Sequence, residues 1–172
     1  MIKTKRLELI PCDHTLVAAI LTDFENLSAF LKLRIPDNWP FFPEAFQLIY
    51  DLVKINPDEA VWWTYLFINR DENVLIGSGG YKGPPKNGAV EIGYEVAPEF
   101  RNTGYATEAA MGFIRHAFSI PEIKFVKAST LPMVNASNRV LEKCGMKFVE
   151  TAVDEEVGDV WFYQVERETF LK

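Results

Sequence analysis

Glu91 and Glu95 stand four residues apart in AVEIGYEV, a run whose alternation and β-branched content predict a strand over residues 89–96. Side chains alternate across a strand, so Glu91, Gly93 and Glu95 project from one face. A carboxylate there can accept a proton from an incoming group, directly or across one water. The next residues, EVAPEFRNTGYATEA, leave the strand at Pro98, turn at Gly104 and open a helix with small side chains. The first N–H groups of a helix lack intrahelical partners and carry roughly half a positive charge, so this junction can hold a pyrophosphate on backbone donors. Gly104 lets the backbone approach closely, Ala106 keeps the next position small, and Arg101 adds a cation.

The elements that must position these residues follow from periodicity. RLELI (6–10) reads as a strand. Residues 14–33 carry apolar positions at helical spacing, with Asp13 as a candidate cap, and a second helix is expected over 44–54. AVWWTYLFI and VLIGSGGY then form a hairpin around NRDEN, which places Trp62 and Trp63 in a strand, one facing the core and the other the acceptor side or solvent. Ala106, Ala109, Ala110, Phe113, Ile114 and Ala117 make one apolar stripe on the helix after Pro98. FVKAST is a strand, 135–144 a helix stopped by Gly145, and MKFVETA and DVWFYQV two final strands. The order is α+β, with a strand–loop–helix unit at its centre.

Length and composition exclude several classes. At 172 residues the chain fits one domain over 1–172, and its 48% hydrophobic content supplies a core without disulfide staples. Cys12 and Cys144 sit in no metal or redox spacing, which suits a reducing, cytoplasmic setting. No run is long and apolar enough to span a bilayer, so no membrane partner is expected. The net charge of −6 and the absence of a basic stripe argue against nucleic acid. The acidic run DEEVGD (154–159) suits either a solvated loop or a rim that attracts a cationic ligand.

Arg101, Gly104 and Ala106 match the (Arg/Gln)xxGx(Gly/Ala) signature of the Gcn5-related N-acetyltransferases (GNAT), and the chain resembles their RimJ/RimL branch from TKRLELIP to WFYQVER. EIGYEVAPEFRNTGYATEA resembles the branch's central motif, and SNRVLEKCGMKFV its second signature, which flanks the pantetheine arm. The resemblance implies a GNAT fold, a mixed sheet of about seven strands flanked by about four helices. It also implies acetyl-CoA as co-substrate, no metal, direct attack by a primary amine, and a monomer or homodimer.

The acceptor amine is left open between a protein N-terminus and a small, cationic molecule. A catalytically silent acyl-CoA sensor and transfer of a longer acyl group are the alternatives.

The resemblance also implies residue roles. Residues 101–107, that is Arg101, Asn102, Thr103, Gly104, Tyr105, Ala106 and Thr107, would cradle the pyrophosphate, and the Val96 N–H would polarise the thioester carbonyl where the strand splays from its neighbour. Glu91 would be the general base, with Glu95 as competitor. Ser137 matches the branch's Ser and is the hydroxyl available to the departing thiolate. The chain departs from the branch at Val134, where an Asn is usual, leaving Asn135 and Asn138 as the nearest amides for pantetheine. Where many members carry a Tyr as general acid for the departing thiolate, this helix offers only aliphatic and charged residues such as Leu141 and Glu142. Cys144 reads as core, and His14 and His116 as structural residues.

Overall fold

The computed structural model describes residues 1–37, 39–40, 42–154 and 158–172. In chain order the elements are β1 (Ile2–Lys3), β2 (Leu7–Pro11), α1 (His14–Thr22), α2 (Phe24–Leu31), α3 (Pro43–Ile55), β3 (Thr64–Asn69), β4 (Val74–Tyr81), β5 (Ala89–Val96), α4 (Tyr105–Phe118), β6 (Phe125–Thr130), α5 (Ala136–Lys143), β7 (Lys147–Asp154), β8 (Gly158–Glu166) and α6 (Arg167–Phe170). The eight strands form one sheet in the order β1-β2-β3-β4-β5-β6-β8-β7. Every neighbouring pair is antiparallel except β5 and β6. The eighth strand is the two-residue Ile2–Lys3, too short to leave a periodic signal.

The helical run expected over 14–33 is two helices. Asp23 breaks it with non-helical φ −140° and ψ 46°, its side chain accepting from Asn26 Nδ2 at 2.8 Å. Asp is a capping residue because its short side chain competes with the helix for backbone and neighbouring donors. Asp13 caps α1 as expected, accepting from the Leu16 N–H at 2.8 Å. Trp62 and Trp63 are not in a strand. Pro57 opens a 3-10 turn over Pro57–Trp62 that Trp63 closes, and the strand starts at Thr64.

Two apolar layers fix the sheet. On one face α4 buries Ala109, Phe113 and Ile114 against Tyr65, Phe67, Ile76 and Ile92. Phe113 is fully buried, its ring centroid 5.2 Å from Tyr65 and 5.4 Å from Tyr81. Such a side chain contributes about 1.5–3 kcal/mol by burial alone. On the other face α1 and α3 bury Val17, Ile20, Phe46 and Val53 against Leu66, Ile68 and Leu75.

The sheet opens at its centre. β5 and β6 pair only at Ala89↔Phe125, Val90↔Val126 and Glu91↔Lys127. Beyond Glu91 the last five residues of β5 have no strand partner on that side among the described residues.

Candidate functional site

The opening between β5 and β6 exposes main-chain donors of known direction. In the β4–β5 ladder the Ala97 N–H donates to Ile76 O at 2.9 Å and the Lys82 N–H to Glu91 O at 2.9 Å. Antiparallel pairing alternates, so odd-numbered residues of β5 face β4 and the N–H groups of Tyr94 and Val96 face the gap. The Val96 carbonyl points the same way and accepts from Arg101 Nε at 2.9 Å, which ties the cofactor-type loop to the strand end. Val96 thus presents its main-chain N–H to the gap.

Gly104 caps α4 in the left-handed region at φ 85°, and Asn102 precedes it at φ 62°. A Cβ at Gly104 would meet only Arg6 Nη2 at 3.5 Å, so backbone conformation rather than space demands glycine there. Arg6 fixes the loop from behind. Its guanidinium donates to Thr103 O at 3.0 Å and to Glu108 Oε2 at 2.7 Å and lies 4.1 Å from the Tyr105 ring centroid. Burial alone would raise the Glu108 pKa. Hydrogen bonds from the Thr4 hydroxyl, the Arg6 N–H and the Arg6 side chain outweigh it and hold Glu108 below the usual carboxylate range.

A cavity of 370 Å³ lies over the α4 N-terminus, bounded by Val96, Arg101, Asn102, Gly104, Tyr105, Ala106 and Thr107 on one side and by Ala136, Arg139, Val140 and Lys143 of α5 on the other. A second hollow of 290 Å³ shares Val96, Arg101, Ala106, Ala136 and Val140 with it and reaches Tyr94, Glu95 and Ser137. The two adjoin, running from the α4 N-terminus to the splayed strand. Left-handed glycine, helix N-terminal amides and cations suit an anion such as a pyrophosphate. Arg139 and Lys143 are missing from the sequence-derived set. Their spacing of four on one helix, facing the signature loop, is the signal that locates them.

The other expected residues fall into place unevenly. Thr103 lines neither hollow, and its hydroxyl donates to Phe100 O. Asn135 and Asn138 form a capping box at α5, Asn135 Oδ1 accepting from the Ser137 N–H at 2.8 Å and Asn138 Oδ1 from the Asn135 N–H at 2.6 Å. Asn138 also donates to the Thr130 hydroxyl at 2.9 Å and the Tyr163 hydroxyl at 3.1 Å and is only 3% exposed. Both side chains are engaged within the fold rather than in the cleft. Ser137 is half-buried, its carbonyl accepting from the Tyr94 hydroxyl at 3.4 Å. Burial, aided by nearby Cys144, pushes Tyr94 well above its ordinary pKa, so its hydroxyl keeps its proton.

On the face opposite α4, Glu91 and Glu95 project together. Glu91 Oε1 lies 2.5 Å from Lys82 Nζ and accepts from the Ser129 hydroxyl at 2.9 Å. Glu95 Oε1 accepts from the Ser78 hydroxyl at 2.6 Å. Desolvation pushes the Glu95 pKa upward despite the opposing effects of Ser78 and Arg101, with Glu44 adding to the rise. Cys144 is buried, its thiol pushed up to about 11 by desolvation, which suits packing and not nucleophilic attack.

His116 Nδ1 lies 2.9 Å from the Tyr81 hydroxyl on the far side of the core, and His14 stacks on Tyr50 at 4.7 Å. Among the described residues no group of three or more His, Cys, Asp or Glu could hold a metal, and no helix is long and apolar enough to cross a membrane. The acidic run ends in β7 and β8 at Asp154 and Asp159. Its centre, residues 155–157, lies outside the described residues.

A family model described as an acetyltransferase (GNAT) domain matches residues 6–147. The uncharacterized N-acetyltransferase YjdG of Bacillus subtilis (strain 168) is 27% identical over 149 residues, 84% of this chain and 88% of that protein. The same fold is found in a spermidine N-acetyltransferase SpeG chimera from Vibrio cholerae and hSSAT (TM-score 0.71, 15% identity, 98% and 99% of the two chains). It is also found in the ribosomal-protein-S5-alanine acetyltransferase of Vibrio fischeri (TM-score 0.68, 17% identity, 98% and 97% covered).

Proposed function

The chain belongs to the acetyltransferase (GNAT) family and is an N-acetyltransferase of that type, and from that premise we propose that it moves an acetyl group from acetyl-CoA to a cationic primary amine by direct attack. The observation that carries this reading is the gap beyond Glu91↔Lys127, into which the Val96 N–H points beside the α4 N-terminus. One cleft thereby places an anion cradle and a carbonyl-polarising donor at opposite ends.

The roles divide as follows. The N–H groups of 101–107, with Arg101, Arg139 and Lys143 around them, hold the pyrophosphate. The Val96 N–H stabilises the charge that develops on the thioester oxygen. The amine enters from the face that carries Glu91 and Glu95, because the other face is filled by α4. One of those carboxylates takes the ammonium proton, and the Ser137 hydroxyl, beside Tyr94, serves the departing sulfur. Acceptors named for proteins of this fold are spermidine, which carries cationic primary amines, and ribosomal protein S5. Two carboxylates on the entry face favour that charge state.

The test is release of CoA thiol from acetyl-CoA with spermidine, an N-terminal Ala peptide and an aminoglycoside, with acetylated product read by mass. Amine-dependent thiol release supports the reading. CoA binding without release by any amine refutes it and leaves a non-catalytic acyl-CoA-binding module.

A further inference from the structure

Resting on the acyl-transfer reading above, we propose that Glu95 is the catalytic carboxylate that meets the acceptor ammonium and removes its proton, while Glu91 holds the point where β5 and β6 part.

Glu91 is engaged. Its Oε1 lies 2.5 Å from Lys82 Nζ and 2.9 Å from the Ser129 hydroxyl, and Lys82 Nζ is 3.0 Å from that same hydroxyl. Lys82 follows β4 and Ser129 belongs to β6, so the three side chains tie the sheet together where the last β5–β6 pair, Glu91↔Lys127, closes the ladder. Position gives the same answer. Val96 is five residues beyond Glu91, about 16 Å along an extended strand. A side chain and one bridging water do not span that distance to an amine attacking at the Val96 N–H. Glu95 immediately precedes Val96 on the entry face.

Glu95 also has an unused acceptor. Ser78 holds Oε1, whereas Oε2 is buried and has no hydrogen-bond partner among the described residues. Buried carboxylate oxygens without donors are unfavourable and uncommon. An ammonium N–H is the donor that fits a single acceptor oxygen on a face built to admit an amine. The charged groups that bear on it are Arg101, which stabilises the carboxylate, and Glu44 in the first turn of α3, which opposes its ionisation. Desolvation dominates, and the net upward shift moves Glu95 towards the pH at which a base works best.

The bonds balance without a further reagent. An ammonium proton passes to Glu95 Oε2 and frees the nitrogen lone pair, which forms the N–C bond. The C–S bond breaks with its electrons on sulfur. The second nitrogen proton is lost as the amide forms, and sulfur leaves as the CoA thiol with one proton. Glu95 returns the other to solvent.

The experiment compares wild type, Glu95→Gln and Glu91→Gln by thiol release with spermidine and with n-butylamine across pH, alongside CoA affinity and Tm. Glu95→Gln should lower kcat/KM by roughly 10²-fold and remove the low-pH limb, with CoA affinity kept. Because the folded-state pKa of Glu95 is raised, its contribution to stability fades as pH rises through that value, so Glu95→Gln should be at least as stable as wild type at pH 7. A residue with only a structural role would lower Tm instead. Glu91→Gln should lower Tm and keep the low-pH limb. Wild-type kcat/KM and an intact limb in Glu95→Gln overturn the proposal.

If wild type releases no thiol with these amines or with the peptide and aminoglycoside above, the acyl-transfer reading fails by itself. The Glu95 carboxyl carbon, titrated by NMR with CoA bound, then decides whether Glu95 meets an ammonium. A pKa that falls when n-butylamine is added supports that contact, and an unmoved pKa refutes it.

Discussion

The α4 junction and the entry face of β5 lie side by side yet are built on different principles. At the junction, the recognition proposed above would rest on the main chain: a left-handed Gly104, the free amides of the first helical turn, and a loop tied by Arg6 to Thr103 O and by Arg101 to Val96 O. Apart from Arg6 and the α5 cations, its residues lie within one stretch from Val96 to Thr107. On the proposed entry face, recognition would rest on side chains drawn from separated segments: Ser78 from β4, Glu91 and Glu95 from β5, Ser129 from β6 and Glu44 from α3. A main-chain site constrains which residues are permitted and so leaves a motif. A side-chain site on a sheet face is free to vary with the acceptor.

The sharpest way to break that comparison is at Gly104. Gly104→Val forces a β-branched residue into φ 85°, a strain of about 1–3 kcal/mol in the loop alone. The expected result is at least a tenfold loss of CoA affinity by calorimetry in a protein that still folds. Undiminished affinity would remove the main-chain cradle from the account.

Arg139 and Lys143 extend the junction by side chains, so their effect should be smaller and salt-sensitive. Replacing both with Ala should weaken CoA binding several-fold at low ionic strength and much less at high. An equal loss at both salt concentrations would point to packing instead of charge.

The brace behind the loop should register in stability more than in binding. Glu108 has a depressed folded-state pKa, so its contribution is present above the unfolded carboxylate value and is lost as pH falls through the folded one. Glu108→Gln should therefore destabilise the protein to urea at pH 7, and the gap to wild type should close in acid. A gap that stays constant with pH would show that charge plays no part.

The smallest effect is expected at the acidic run 154–159. Neutralising Asp154 and Asp159 should raise the acceptor KM about two- to threefold at low salt, through long-range attraction alone. A KM indifferent to salt and to both substitutions assigns the run to solvation.

How much was legible follows the same division. The bounds of β5 and the start of α4 agree with the periodicity because Pro98 and Gly104 punctuate them on either side. The sequence offers Asn135 and Asn138 as amides for pantetheine, and only the structure shows the capping box at α5 and the bonds of Asn138 to Thr130 and Tyr163, since those partners are remote in sequence or need three-dimensional geometry. The break at Asp23 lay inside a continuous apolar period, and only backbone geometry reveals it. The Trp pair was misplaced because aromatic content mimics a strand, while Pro57 starts a turn that excludes one. Glu91 and Glu95 were equivalent by alternation. Lys82 and Ser129 distinguish them, and both come from other strands or their ends.

The most direct measurement of the central claim is amide chemical-shift mapping of the 15N-labelled protein during a CoA titration. The account predicts saturable shifts at Val96, along 101–107 and at Arg139 and Lys143, with α1 and α3 unmoved. Shifts centred on α1, α3 and the Glu95 face, with 101–107 silent, would contradict it.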